Sequence, residues 1–144
     1  MQNLLYRWLL AVGLGHVLLG VILAFTAQLP IAAPYFQYLY ASVGASQAPT
    51  AEYHSLLTTM VRLFGPTVAS WGLLFSLLVH LYRQHGHALI KPALFAALLL
   101  WCVLDSVISA YYGILAHTYL NTLAALSIAL PLLALHPLTK AQAG

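Results

Sequence analysis

The protein has 144 residues, of which 62% are hydrophobic and only 5% are charged, and its formal net charge is +3. A soluble domain carries about 25% charged residues, so this chain cannot cover itself with a polar surface and its solvent must be mostly lipid. The basic residues are scattered, which excludes a nucleic-acid interface because that requires a clustered basic patch. The single cysteine, Cys102, excludes an intramolecular disulfide and a two-cysteine redox relay.

Four segments are long and apolar enough to cross a bilayer, which requires roughly 20 mostly apolar residues per helix. They lie at residues 4–27, 52–82, 89–115 and 119–138, within a single membrane domain of residues 1–144. The first segment has features of a signal peptide, because Arg7 precedes its apolar run and "AFTA" follows it. The run is longer than the ~7–15 residues of a signal core, so we expect an uncleaved membrane helix.

The loop between the first two segments, residues 28–51, is too long to be a simple turn. Its three prolines exclude one continuous helix. Its middle, "PYFQYLYASVG", is rich in tyrosine, which prefers the membrane interface because its ring is buried while its hydroxyl is hydrated. We expect a short interfacial helix that serves either as an aromatic anchor or as a lid over a cavity.

The basic residues predict the orientation of the chain. Arg7, Arg83, Lys91 and Lys140 all fall on one side if the helices run up-down-up-down, and the positive-inside rule makes that side cytoplasmic. Both termini are then cytoplasmic, in a plasma membrane or a bacterial inner membrane, and a cysteine at Ser46 would be labelled from outside. The short connections "RQHGHALIK" and "LAHT" imply antiparallel neighbours, so the predicted fold is an all-α four-helix bundle.

Two charged residues, Arg62 and Asp105, lie inside the predicted spans, where an unpaired charge is costly. At 1.5 Å per residue, Arg62 lies roughly 27 Å from the inner edge of the membrane, and Asp105 lies roughly 24 Å from the same edge. Asn121 of the fourth segment lies roughly 24 Å from the same edge. We therefore expect an Arg62–Asp105 ion pair bridged by the Asn121 amide, which both donates and accepts hydrogen bonds.

Helical neighbours extend this expected polar layer. Trp101, Ser109 and Tyr112 share the helical face of Asp105. His117 lies one turn from Asn121, Thr59 lies about one turn from Arg62, and Pro66 is expected to kink the helix beside that charge. His16 on the first helix either bonds across a glycine-lined helix contact or faces the same cavity. The predicted ligand-binding residues are therefore Arg62, Asp105, Asn121, Trp101, Ser109, Tyr112, Thr59, His117 and His16.

Seven histidines raise the alternative of a haem or a metal. A haem needs two imidazoles at similar depth on facing helices, but only His16 lies near mid-membrane. His80, His85, His87 and His136 would lie near the inner edge, as a metal cluster or as part of a solvated turn. The chain has no His-Glu-x-x-His motif and no cysteine pair, so no cofactor and no metal ligand are predicted.

The expected function is the binding of an amphipathic ligand, such as a lipid, a quinone or a fatty acid, in an outward-facing pocket. Arg62 would hold the polar head, and a carboxylate beside it suits binding better than proton transfer. Three alternatives stay open: a purely structural subunit of a membrane complex, an isomerase-like enzyme using Asp105 with a tyrosine or histidine, and a haem or metal protein. A membrane protein partner or a homo-oligomer is compatible with each of them.

Overall fold

The computed structural model describes residues 1–44 and 49–138, and within them the chain forms helices and no strands. Four helices are long and apolar enough to cross a membrane, which confirms the all-α bundle of four spans. A short helix, preceded by a 3₁₀ turn at Pro30–Ala32, lies between the first two spans as expected. The helices are α1 (Gln2–Thr26), α2 (Ala33–Ser42), α3 (Ala51–His85), α4 (Ile90–Tyr111) and α5 (Leu115–Ala134).

Caps and glycines set the helix boundaries. The Thr50 hydroxyl accepts the Tyr53 N–H and caps α3, which ends at Gly86 in the left-handed conformation (φ 63°). Gly113 (φ 72°) follows the end of α4. The predicted connection "LAHT" was therefore wrong, because these residues form the first turn of α5. Helix α5 also ends four residues earlier than predicted, where Leu135 becomes extended (ψ 132°).

Close backbone contact joins α1 to α3. Gly13 and Gly20 of α1 lie against Gly72 and Gly65 of α3, and a methyl group built on any of the four would overlap atoms of the other helix. Small residues allow membrane helices to approach closely, and this close contact replaces a hydrophobic driving force that lipid does not supply. Helices α4 and α5 form the second antiparallel pair, with Cys102 and Ser106 contacting α5.

The two helix pairs meet in a core near the chain termini. The buried apolar cluster consists of Leu9, Phe75, Val79, Tyr82, Leu94, Leu98, Ile128, Leu132 and Leu135. The half-buried Trp71 and Trp101 pack against its far edge, with ring centroids 6.4 Å apart. We call the half of the bundle that contains this cluster the termini end and the opposite half the α2 end.

Hydrogen bonds from polar side chains join the N-terminal and C-terminal parts of the chain at the termini end. The buried Arg83 donates to the His136 carbonyl and, over 3.1 Å, to Asn3 Oδ1. Lys91 Nζ donates to the Leu133 carbonyl over 2.7 Å. These cations satisfy backbone carbonyls at the C-terminal end of α5 that have no partner within the helix. The N-terminal residues and residues 134–138 therefore lie at the same end of the bundle.

The glycine contact between α1 and α3 yields a stability prediction. Gly20→Ala should destabilise the protein by roughly 1–3 kcal/mol, because the added methyl group meets the backbone of Gly65 and Ala69. Gly15→Ala is the matched control on the same helix, since a methyl group there meets no atom within 4 Å. Thermal unfolding in detergent measures both variants. Equal stability of the two would contradict the observed α1–α3 contact.

Candidate functional site

A polar cluster occupies the space between α4 and α5, next to the core. The amide of the buried Asn121 donates to Asp105 Oδ2 and, over 3.3 Å, to Ser106 Oγ. Asp105 itself is half-buried and lies one turn beyond Trp101 on the same face of α4. We call Asp105, Ser106 and Asn121 the polar layer. The depth count correctly placed Asn121 beside Asp105, but it did not identify Ser106, which is the next residue along α4.

The expected Arg62–Asp105 ion pair is absent from the part of the chain that the structure describes, where no cation lies within 4 Å of a carboxylate. Arg62 Nε instead donates to the Ala24 carbonyl over 3.0 Å, in the last turn of α1. The reason is rotational. Trp71, which contacts α4, lies nine residues after Arg62 on α3. Nine residues correspond to about 900° of helix rotation, or about two and a half turns, so the two side chains project from opposite sides of α3.

Arg62 therefore stabilises the end of α1 rather than the polar layer. A guanidinium at a helix C-terminus bonds a carbonyl that has no helical partner and interacts favourably with the helix dipole. Its side chain is exposed on the α1 side of the bundle. Pro66, four residues along, does not interrupt α3, which is continuous from Ala51 to His85.

Aromatic side chains of helix α2 contact α3 and α5 at the α2 end of the bundle. The Tyr38 hydroxyl accepts the Ala116 N–H over 2.9 Å and so satisfies a free amide in the first turn of α5. Phe36 is 2% exposed and lies edge-to-face with His54 of α3, with ring centroids 5.1 Å apart. The interfacial helix therefore contacts two of the four spans, which is what the lid hypothesis requires.

Two tyrosine–histidine pairs reinforce this contact. The Tyr40 hydroxyl and His54 Nδ1 are 2.7 Å apart, and the Tyr35 hydroxyl and His117 Nε2 are 3.3 Å apart. Burial, followed by the charge of Asp105 and then Tyr38, raises the pKa of Tyr35 above its ordinary value. The two pairs therefore join α2 to α3 through His54 and to α5 through His117.

The face of α3 that points towards α4 changes from buried to exposed along its length. Phe75, in the core, is 4% exposed. Phe64 lies seven residues from Trp71 on the same helical face, yet it is 55% exposed, and Met60 one turn further is also 55% exposed. Asp105 lies one turn from Trp101, on the α4 face that contacts α3, whereas Met60 and Phe64 on the facing side of α3 are exposed rather than packed in the core.

We call the region between the exposed Met60 and Phe64 of α3 and the polar residue Asp105 of α4 the lateral cleft. The Trp71–Trp101 contact lies at its termini end. The cleft thus has one apolar wall and one polar wall.

A separate open depression of about 520 Å³ lies between the end of α2 and the α4–α5 turn, lined by Ser42, Val43, Tyr111, Tyr112 and Gly113.

The other predicted residues fall into two groups. Trp101 and the buried Ser109 do face the interior of the bundle, and His16 lies edge-to-face with Trp71 at 4.8 Å. The Nδ1–H of His16 donates to the Val12 carbonyl over 2.8 Å within its own helix, so its Nε2 is left as an acceptor. Trp101 packs against the core, whereas Ser109 lies one turn beyond Asp105 towards the α2 end.

Two predicted residues face away from the bundle. Tyr112 is 54% exposed, because α4 ends at Tyr111 and the helical periodicity no longer applies beyond it. Thr59 is exposed, whereas its neighbour Thr58 is buried and its hydroxyl has no hydrogen-bond partner within the described residues. Adjacent residues of a helix differ by about 100° of rotation, so Thr58 faces the interior of the bundle and Thr59, the predicted residue, does not.

No group of three or more histidine, cysteine, aspartate or glutamate side chains converges within residues 1–44 and 49–138. The histidines near the termini end are engaged separately or exposed, with His80 bonded to Tyr6 over 2.7 Å. Comparisons with protein-family models, with curated proteins and with solved structures find no match for this chain.

Two phenylalanines on one face of α3 test the lateral cleft. Phe75→Ala should destabilise the protein by about 3–5 kcal/mol, because it leaves a cavity in the core. Phe64→Ala should change stability by less than about 0.5 kcal/mol, as exposed substitutions do. Unfolding of both variants in the same detergent gives the comparison. Comparable losses would mean that Phe64 is packed against α4 and that the cleft is closed.

Proposed function

We propose that this protein binds an amphipathic molecule, such as a lipid, a quinone or a fatty acid, in the lateral cleft. The observation that carries the proposal is the exposed α3 wall, Met60 and Phe64, opposite the polar layer. An apolar surface facing a few convergent polar groups is the usual composition of a small-molecule site. Within a bilayer, an opening between two spans is also directly accessible to molecules dissolved in the lipid.

The roles of the side chains differ from those expected from sequence. Arg62 binds the end of α1, so we assign the head-group contacts to Asp105 and Asn121, supported by Tyr35 of α2 and His117 of α5. Phe64 would contact the chain of the ligand. The contacts of α2 with α3 and α5 would hold the head group away from water, where hydrogen bonds are stronger.

We further propose that the protein lies in a plasma membrane or a bacterial inner membrane with both termini in the cytoplasm. The support is the position of the cations, because Arg7, Arg83 and Lys91 all belong to the termini end. Lys140, which the sequence argument also used, lies outside the described residues. The α2 cover would then lie at the outer surface.

Ligand binding predicts a specific gain in stability. Addition of a native membrane lipid extract should raise the unfolding temperature of the protein, because a ligand that binds only the folded state stabilises it by about 2.7 kcal/mol at 100 times its Kd. Asn121→Leu removes the amide of the polar layer and should abolish this shift. Thr122→Leu, which exchanges an exposed polar residue on the same helix, is the matched control and should retain it.

The outcome that contradicts ligand binding is the absence of stabilisation by any lipid fraction. Native mass spectrometry of the wild-type protein checks the same point without a variant, since a bound molecule adds its mass to the chain. A protein whose only adduct is a second polypeptide would instead support the structural-subunit alternative, in which a partner helix covers Met60 and Phe64.

The orientation is tested by chemical labelling in intact cells. Ser46 lies outside the described residues, so the exposed Gln37 on α2 is the better position. Gln37→Cys should react with a membrane-impermeant thiol reagent from outside, whereas His85→Cys, exposed at the opposite end, should react only after permeabilisation. The reverse pattern would overturn the proposed orientation.

A further inference from the structure

The charges around the lateral cleft are unbalanced. The chain has only two acidic residues, Asp105 and Glu52. Glu52 is exposed in the first turn of α3, whereas Asp105 is half-buried within α4. Of the cations that the structure describes, three belong to the termini end, and Arg62 projects from the opposite side of α3. The carboxylate in the cleft wall therefore faces no positive charge among the described residues.

The hydrogen bonds of Asp105 leave part of the carboxylate available. Asn121 donates to Oδ2, and within the described residues no donor is bonded to Oδ1. Oδ1 is also not a fully buried atom, since Thr58 Oγ1 is the buried side-chain oxygen that lacks a partner in that part of the chain. An intramembrane carboxylate is costly unless a cation or water stabilises it. An accessible, uncompensated carboxylate thus favours a positively charged occupant.

From this arrangement we infer that the cleft selects a head group carrying a protonated amine, with Asp105 as its counter-ion. This inference rests on the proposed function and narrows its ligand class. An ammonium group has three N–H donors, which match Asp105 Oδ1 and a hydroxyl oxygen such as that of Tyr35. The ring of Trp101, one turn from Asp105, supplies an aromatic face that also attracts cations.

An anionic head group is disfavoured by the same charge. A fatty acid or a phosphomonoester in the cleft would place a second negative charge beside Asp105, in surroundings of low dielectric constant where like charges repel strongly. A quinone or an alcohol is neutral, so it would use the hydrogen bonds but not the charge. The three classes of head group are therefore expected to bind in the order amine, neutral, acid.

Three amphiphiles with the same hydrocarbon chain test this order. Oleylamine, oleyl alcohol and oleic acid are each titrated against the full-length protein in phosphatidylcholine nanodiscs, at a pH where the amine and the acid are both charged, and binding is measured by native mass spectrometry. Oleylamine should bind at least about tenfold more tightly than oleyl alcohol, which corresponds to about 1.4 kcal/mol. Oleic acid should bind most weakly.

Charge removal at the two acidic residues identifies the counter-ion. Asp105→Asn should reduce oleylamine affinity about tenfold and leave oleyl alcohol nearly unchanged, because the amide keeps the shape but loses the charge. Glu52→Gln is the matched control, since it removes the other carboxylate of the chain from an exposed position on α3 and should have no effect.

The possible results separate this inference from the function on which it depends. Equal binding of all three amphiphiles by the wild-type protein, or preference for oleic acid, overturns the amine inference and leaves ligand binding in place. Equal losses in Asp105→Asn and Glu52→Gln also overturn it, because the effect would then be one of net charge. Failure of all three to bind would overturn both the inference and the proposed function.

Discussion

The close contact between α1 and α3 determines how the rest of the bundle is arranged. Because Gly13 and Gly20 lie directly against Gly72 and Gly65, the rotation of α3 about its axis is set by that interface. Arg62 then falls on the α1 side, where it bonds the Ala24 carbonyl, and the opposite face of α3 is presented to α4. An arginine in a span is thus used to complete a helix end. Its removal from the vicinity of Asp105 leaves a carboxylate without a countercharge among the described residues.

The second constraint is that the apolar core occupies only the termini end. Buried leucine, isoleucine and aromatic side chains fill the space between the helix pairs as far as Trp71 and Trp101. Beyond them the facing residues are polar on α4 and α5 and exposed on α3. The bundle is therefore closely packed at the termini end, whereas at the α2 end helix α2 joins α3 and α5 through aromatic and tyrosine–histidine contacts.

Much of the architecture follows from the sequence, because hydropathy, proline and helix length are local properties. The four spans follow from hydropathy and length, and the level of Asn121 beside Asp105 follows from counting residues along one helical hairpin. The rotation of α3 depends on which neighbour packs most closely, which no count along the chain reveals. For this reason the predicted Arg62–Asp105 pair was wrong, and Thr59 was predicted to face the site although Thr58 is the buried threonine. The prediction that Tyr112 continues the Asp105 face was wrong for a local reason, because α4 ends at Tyr111 and Gly113 follows in the left-handed conformation.

We propose that Phe64 faces an open cleft that holds a small amphipathic molecule. Photo-crosslinking from that position tests it in the native membrane. When Phe64 is replaced by p-benzoylphenylalanine, irradiation should attach a lipid-sized molecule to the chain, and mass spectrometry should identify an amine in its head group. The same replacement at Phe75, inside the core, should yield only crosslinks within the chain. Intrachain crosslinks from position 64 to α4 would show that the cleft is closed and would contradict the account.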